Sequence, residues 1–229
     1  MNVRDESVVH AGSGRLIDIS VAIGAGMPVW PGDTPFSCGW TARRESGSSV
    51  NLASLHASAH AGTHADAPLH VESAWESSER LPPDVFVGDA LVCALPYALL
   101  GDGAALVDIP VLETLLGDTS CVRLLLRTGY SVASGEFPAQ WPTLIEPAAA
   151  WLLQRGVRLF GVDAPSVDER ESTALPIHHR LFAGGAYVLE NLALDDVAPG
   201  RYELLAQPLL VRGVDAAPVR AMLRAMSRA

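Results

Sequence analysis

Lysine is absent from this chain of 229 residues, because all 16 basic side chains are arginine. Enzymes that form imines, pyridoxal-phosphate enzymes, P-loop nucleotide hydrolases and protein kinases each depend on a lysine amine in a fixed role. These classes are therefore excluded, and any catalysis has to come from other side chains.

Cysteine is scarce as well. The three cysteines, Cys38, Cys93 and Cys121, are far apart in the chain, and no C-x-x-C pair occurs. A disulfide framework or a thiolate zinc site is therefore not expected. Cys93 and Cys121 lie in apolar runs, which predicts that both are small, buried hydrophobic side chains.

Long apolar segments and excess positive charge are also missing. The longest apolar run, residues 90–100, is interrupted by Pro96 and is too short to span a bilayer. Residues 1–15 carry acidic side chains where a signal peptide would be apolar. A net charge of −10 opposes binding to nucleic acid or to anionic lipid. We therefore expect a soluble, reduced, cytoplasmic protein whose partners are neither nucleic acids nor membranes.

The composition that remains is typical of a folded domain, with 49% hydrophobic and 18% charged residues. No stretch in the middle of the chain has the composition of a linker. We predict one domain over residues 1–229, in which residues 1–14 form a flexible N-terminal extension.

The apolar pattern predicts an α/β domain with a mixed sheet. Residues 50–60 alternate between an apolar and a polar face, as expected of a strand that lines a cavity. Helices are predicted where proline opens and glycine ends a segment. The strand candidates are 16–23, 50–60, 85–95, 122–126, 157–163, 187–194 and 202–211; the helix candidates are 147–155, 176–183 and the segment after 211.

Histidine is the informative residue type, because four of the seven histidines fall within residues 56–70. The core of this cluster is HAGTHADAPLH, residues 60–70, in which Gly62 and Pro68 both oppose a helix. In an extended chain His60 and His64 would lie about 13 Å apart. Both can reach one ion only if the chain bends, and Gly62 is placed to allow the bend.

Three side chains of this cluster, His60, His64 and Asp66, have the ligand types that bind first-row metals, with Zn²⁺ or Mn²⁺ favoured. His70 has the same parity and is expected to point the same way. The alternative is that each histidine is solvated or packed in the core. That alternative is preferred for His56, which can face solvent at the start of the cluster.

A second polar group lies far along the chain. Glu190 interrupts an otherwise buried strand, and a buried carboxylate is costly unless it is paired or bound to metal. His178 and His179 lie on the short predicted helix that precedes this strand. Packing of the helix on the strand would bring a histidine to Glu190; an ordinary buried ion pair is an equally good interpretation.

Two further residues are left with open roles. Asp163 ends the strand at 157–163, where α/β sheets often place functional groups, but a turn or capping role fits equally well. Trp30 lies in a stiff loop rich in proline and glycine, where it could cover an apolar substrate or simply pack. The motifs G-x-S-x-G, G-x-G-x-x-G and H-E-x-x-H are absent from the sequence.

In the segment HAGTHADAPLH the chain resembles the metal-dependent cyclase-like hydrolases, whose signature is H-x-G-T-H-x-D-x-P-x-H. The segments VWPGDTP and GVDAPSVD are similar to the kynurenine formamidase branch of that family. The resemblance implies a swivelling β/β/α fold, a homodimer, and hydrolysis of the aryl formamide N-formyl-L-kynurenine to L-kynurenine and formate, a step of tryptophan degradation.

The resemblance also implies roles for individual residues. His60, His64 and Asp66 would hold one Zn²⁺ ion, and Asp66 would bridge to a second held by His178 and Glu190. His178 is preferred to His179 because the twelve-residue spacing to Glu190 matches the family. His70 would transfer protons, and Trp30 would contact the aromatic part of the substrate.

The sequence is compatible with two alternative functions. An isatin-type hydrolase that opens a cyclic amide would use the same ligands, and would differ only around Trp30 and residues 71–86. A protein that binds a metal or a small molecule without turning over a substrate is the second alternative.

Overall fold

The computed structural model describes residues 14–96 and 105–226. Of the predicted N-terminal extension, residues 1–13 lie outside the described residues. The strands are β1 Leu16–Asp18, β2 Ser37–Ala42, β3 Leu52–His56, β4 His64–Asp66, β5 Val87–Ala94, β6 Leu106–Val107, β7 Arg123–Arg127, β8 Thr143–Leu144, β9 Leu159–Val162, β10 Tyr187–Glu190, β11 Gly200–Leu205, β12 Ala216–Pro218 and β13 Met222–Ala225. The α-helices are α1 Ile109–Leu116, α2 Glu146–Gln154 and α3 Pro176–Ala183.

Nine of these strands form one sheet in the order β1-β13-β11-β5-β7-β9-β10-β4-β12. The central strands β5, β7, β9 and β10 are parallel to one another, and the outer strands are antiparallel to their neighbours. This arrangement confirms the predicted α/β domain with a mixed sheet. Two small sheets, β2–β3 and β6–β8, complete the described strands.

Both faces of the central sheet are buried, so its strands are apolar at successive positions. Leu124 and Leu126 of β7 face a core that the three helices cover, while Leu125 faces a second core. The second core is closed by strands and loops. The segment after β1 contributes to this closure, because Ile19 accepts a hydrogen bond from Ala193 and donates one to Ala221. The sheet therefore curls around its second face.

Helix α2 and helix α3 begin and end where the sequence indicates. Proline occupies the first turn of each, and Gly156 has a positive φ of 84° just after α2. Helix α3 and the following strand β10 form a tight unit that packs His178 against the sheet. Helix α3 and β10 thereby bring His178 and Glu190 close to the histidine cluster at residues 60–70.

Three secondary-structure predictions were wrong. The strand predicted at 50–60 is only β3, which pairs with β2 in a hairpin whose residues are almost all exposed, so it does not line a cavity. The segment predicted as helix after 211 instead forms β12 and β13, because β4 and β11 offer it strand partners. Helix α1 was missed, although Asp108 caps it by accepting the Val111 N–H.

The cysteine predictions hold. Cys93 and Cys121 are buried and Cys38 is exposed, and all three are free thiols. Burial raises the pKa of the Cys93 thiol to about 11, so it stays protonated near neutrality. In the described part of the chain, no helix has the length and apolarity that crossing a bilayer requires.

Candidate metal centre

The bend predicted between His60 and His64 is present and depends on Gly62. This glycine has a φ of +67°, which other residues rarely adopt. A Cβ atom there would lie 2.8 Å from the side chain of Ile23 and 3.0 Å from the carbonyl oxygen of Val21. Both the backbone angle and the lack of space therefore require glycine at the turn that brings the two histidines together.

Strand pairing places the remaining ligand candidates. In the antiparallel pair β4–β10, His64 is opposite Glu190 and Asp66 is opposite Val188. Helix α3 lies beside β10 and directs His178 toward the same strand edge. Thr63, which precedes β4, links this strand to two other segments: its hydroxyl donates a hydrogen bond to the Asn191 carbonyl oxygen and accepts one from the Val21 N–H.

Five ligand-type side chains converge as a result. Nδ1 of His60 and Nε2 of His64 lie 3.1 Å apart, and they are 3.0 and 3.2 Å from Oδ1 of Asp66. On the other side, Nε2 of His178 lies 3.2 Å from Oδ2 of Asp66 and 3.3 Å from Oε1 of Glu190. Asp66 thus presents one oxygen to each half of the cluster.

Each imidazole that faces the cluster is held from behind by an oxygen acceptor. The outward nitrogen of His64 lies 2.9 Å from the Gly62 carbonyl, and that of His178 lies 2.7 Å from Oδ2 of Asp168. The outward nitrogen of His60 lies 2.9 Å from Oδ2 of Asp215. This is the arrangement found around metal-ligating histidines, because an acceptor behind the ring keeps the proton off the nitrogen that binds the ion.

Charge is balanced within the cluster by the histidines. Burial lowers the pKa of His60, but the hydrogen bond to Asp215 and the adjacent negative charge of Asp66 outweigh it and raise the pKa to about 9. Burial likewise opposes protonation of His64, whose pKa the charge of Asp66 raises to about 10. The pKa of Asp66 is held well below its usual value: burial would raise it, but the charge of His64, the hydrogen bond with His178 and the close approach of the His60 and His64 nitrogens dominate.

The donor set fits a pair of divalent ions. Asp66 Oδ1 is fully buried and has no hydrogen bond of good geometry, although two imidazole nitrogens lie close to it. Ligand atoms bound to one tetrahedral Zn²⁺ lie about 3.3 Å from each other, given bonds of about 2.0–2.1 Å. Among the described residues, three groups have donor atoms close enough to hold an ion. Two of them share the buried Asp66: His60 with His64 and Asp66, and Asp66 with His178 and Glu190. The third, His60 with His70 and Asp215, is only partly buried.

His70 lies beside the cluster rather than in it. It ends the short 3-10 turn Pro68–His70, and its ring centroid lies 4.5 Å from that of His60 and 5.6 Å from that of His178. Its side chain is 28% exposed, whereas those of His64 and His178 are 1% exposed. The side chain of His60 is 21% exposed, so His70 is the most exposed of the four histidines and can be reached by an incoming molecule.

Trp30 packs in an aromatic group on the His178 side of the site. Its ring makes edge contacts with Phe137 and Trp141 at centroid distances of 5.5 and 5.8 Å. Trp141 in turn donates its indole N–H to the carbonyl oxygen of Asp168, the residue behind His178. Trp30 remains 37% exposed, so it presents apolar surface to solvent.

Three other candidates have different surroundings. His179 lies next to His178 but turns away and contacts Trp75, and His56 is exposed on β3. Asp163 is fully buried and accepts hydrogen bonds from the backbone and hydroxyl of Thr128 and from the Gly129 N–H. It therefore fixes the turn after β7 and lies in none of the clusters of metal-ligand type among the described residues.

Sequence reasoning missed the roles of Asp168 and Asp215. Asp168 lies inside the quoted segment GVDAPSVD, but no pattern linked it to a histidine ten residues later. Asp215 lies in the string GVDA at residues 213–216, which is the same string that contains Asp163 at residues 161–164. That string was the available signal, and only the pairing of β12 with β4 shows which histidines Asp215 meets.

Comparison with known proteins identifies the family of this chain. Residues 17–169 match the Cyclase family model, described as "Putative cyclase". The chain is 45% identical over 214 residues to a kynurenine formamidase of Salinibacter ruber, covering 91% of this chain and 97% of the relative.

Among solved structures, one described as a potential metal-dependent hydrolase with cyclase activity has a TM-score of 0.76 and 28% identity, covering 91% of this chain and 96% of the other. Isatin hydrolase A from Ralstonia solanacearum has a TM-score of 0.78 at 24% identity, covering 91% of both chains, which shows a common fold. The chain therefore belongs to the Cyclase family of metal-dependent hydrolases, in which its relatives include bacterial kynurenine formamidases.

Proposed function

We propose that this protein hydrolyses N-formyl-L-kynurenine, cleaving the formamide C–N bond with one water molecule to give L-kynurenine and formate. The observation that carries the proposal is the convergence of His60, His64, Asp66, His178 and Glu190 beside the accessible His70. The 45% identity to a kynurenine formamidase over nearly its whole length supports this substrate over other amides.

We assign the ligands by the atoms that face inward. Nδ1 of His60, Nε2 of His64 and Oδ1 of Asp66 would hold one ion. Oδ2 of Asp66, Nε2 of His178 and Glu190 would hold a second. Nitrogen and carboxylate donors favour Zn²⁺, with Mn²⁺ as the alternative, and two ions per subunit are expected.

Bound divalent ions supply Lewis acidity toward a carbonyl oxygen and lower the pKa of a water molecule from about 15.7 toward about 7. The protein contributes proton transfer through His70, which accepts a proton as water adds to the formyl carbon. His70 then returns the proton to the departing aryl amine. A residue that exchanges protons with substrate must be reachable, and His70 is.

The aromatic group around Trp30 would receive the aryl ring of the substrate. Edge-to-face contacts with Phe137 and Trp141 hold the Trp30 ring without removing it from solvent. The contact between Trp141 and the residue behind His178 ties this group to the metal centre. In this proposal the aromatic group forms an apolar wall for the aryl ring, while the formamide lies at the ligand cluster.

We propose a homodimer that acts in the cytoplasm on a small-molecule substrate. Sedimentation velocity would test the dimer, and a monomer at micromolar concentration would contradict it.

The experiment is an initial-rate assay of N-formyl-L-kynurenine hydrolysis by zinc-loaded protein, chelated protein and protein reloaded with zinc or manganese. We expect release of kynurenine that chelation abolishes and reloading restores. Isatin is the comparison substrate, because the isatin-type alternative predicts preferential opening of a cyclic amide. No kynurenine release from folded, metal-loaded protein would overturn the proposed substrate.

A further inference from the structure

Asp215 lies where two histidines of different roles meet. Its Oδ2 atom is 2.9 Å from Nε2 of His60 and 3.2 Å from Nδ1 of His70. His60 is one of the proposed ligands beside the buried Asp66, whereas His70 groups only with His60 and Asp215 and is the more exposed of the two histidines. A single carboxylate oxygen therefore contacts both rings.

The backbone keeps this carboxylate in place. Asp215 directly precedes β12, which pairs with β4 so that Ala216 is opposite Asp66. The carbonyl oxygen of Asp215 accepts the Ala67 N–H at 2.8 Å, and the Ala67 carbonyl accepts the His70 N–H at 2.9 Å. Two consecutive backbone hydrogen bonds thus connect Asp215 to the turn that carries His70.

An ionised carboxylate only accepts hydrogen bonds, so each imidazole nitrogen that faces it has to carry the proton. For His60 in the metal-loaded protein, this places the proton on Nε2 and leaves Nδ1 available as a ligand atom beside Asp66. For His70 it places the proton on Nδ1 and leaves the Nε2 lone pair free. The opposite tautomer of His70 would direct a lone pair at the negative oxygen, which is unfavourable.

We propose that Asp215 is a positioning residue that holds His70 in the tautomer protonated on Nδ1, so that Nε2 is the atom that exchanges protons with the substrate. The proposal rests on the proposed function, in which His70 transfers protons. Through the same oxygen, Asp215 orients the ring of His60, and so aligns the proton-transferring group with the metal centre.

A purely stabilising ion pair does not account for this arrangement. The Asp215 side chain is 45% exposed, and ion pairs at such positions contribute little to stability. The geometry instead resembles the acceptor behind His178, except that Asp215 also contacts a histidine outside the ligand set. Its effect is therefore expected on turnover more than on folding.

The test compares Asp215→Asn with Asp118→Asn, an exposed aspartate that serves as a matched control. At saturating zinc we expect Asp215→Asn to bind as much metal as the wild type and to keep KM, while kcat falls by about 10²-fold. The double variant Asp215→Asn/His70→Ala should be no slower than His70→Ala, because both changes remove one function. The proposal would be overturned if Asp215→Asn kept the wild-type kcat or lost metal at saturating zinc. It would also be overturned if the effects of Asp215→Asn and His70→Ala on kcat were fully additive in the double variant.

A second readout is independent of turnover. In zinc-loaded wild-type protein with ¹⁵N-labelled histidine, the signals that disappear in His70→Ala identify His70. We expect an Nδ1-protonated tautomer in the wild type and in Asp118→Asn, and its loss in Asp215→Asn. An Nε2-protonated His70 in the wild type would overturn the proposal even if Asp215→Asn does not fold. Absent hydrolysis with the expected tautomer would instead refute only the proposed substrate.

Discussion

Nδ1 of His178 lies 2.7 Å from Oδ2 of Asp168. The corresponding contacts behind His64 and His60, to the Gly62 carbonyl and to Asp215, are longer, at 2.9 Å each. The Asp168 carboxylate also accepts the backbone N–H groups of Ile177 and His178 at the start of α3. Asp168 therefore fixes both the helix that carries His178 and the tautomer of its ring.

Replacing Asp168 by Asn should weaken binding of the metal ion at His178. Three donors point at the two carboxylate oxygens, so an amide must turn its NH₂ group toward at least one of them. Loss of such an acceptor typically costs about 10–100-fold in metal affinity. Competition with a fluorescent chelator would measure it, with Glu169→Gln as the exposed neighbouring control. Unaltered affinity would show that the acceptor does not influence metal binding.

Glu190→Gln should lower the number of ions bound per chain. The substitution preserves shape and can keep the hydrogen bond from the Val167 N–H, but it removes one negative charge and one ligand oxygen. Metal analysis after dialysis gives the stoichiometry directly. If the count equals that of the wild type, Glu190 is not a ligand.

His70→Ala should retain its metal and lose turnover. His70 forms a group with His60 and Asp215 but is not one of the five proposed ligands, so its removal leaves those ligands in place. Loss of general acid–base catalysis reduces kcat by about 10²-fold or more. Steady-state kinetics on metal-saturated protein test this, and a fully active variant would eliminate the proposed role.

Metal uptake should release protons. In the metal-free protein, the pKa values of His60 and His64 are raised from 6.5 to about 9 and about 10, so both rings are protonated at pH 7. A protonated nitrogen cannot bind an ion, so apparent affinity rises with pH until these pKa values are passed. Calorimetry in buffers of different ionisation enthalpy measures the release. Heats that do not depend on the buffer would contradict it.

Gly161→Ala should destabilise the fold without touching a ligand. An added Cβ in the middle of β9 would lie 2.5 Å from Leu125 and 2.9 Å from Leu192, both fully buried. Overpacking of this kind costs about 1–3 kcal/mol. Urea unfolding measures the loss, and Gly24→Ala is the control, since its Cβ would meet nothing within 4 Å. Equal stability of the two variants would show that the core adapts.

Local chemistry determined much of this site in advance. The types and spacing of His60, His64 and Asp66 indicated a metal site, and Gly62 indicated the bend, because glycine is the residue that adopts a positive φ freely. Proline and glycine likewise marked both ends of α3. Such features depend on neighbours within a few residues, which the sequence displays.

Long-range pairing decided the rest. Whether the segment after 211 became helix or strand depended on its strand partners β4 and β11. The family resemblance favoured His178 over His179, but the direction in which α3 packs is what places His178 against Asp66 and Glu190 and His179 against Trp75. Asp215 lies 155 residues after His60, and only the placement of β12 beside β4 joins them. Contacts of this kind are absent from local sequence patterns because hydrogen bonding and burial between distant segments create them.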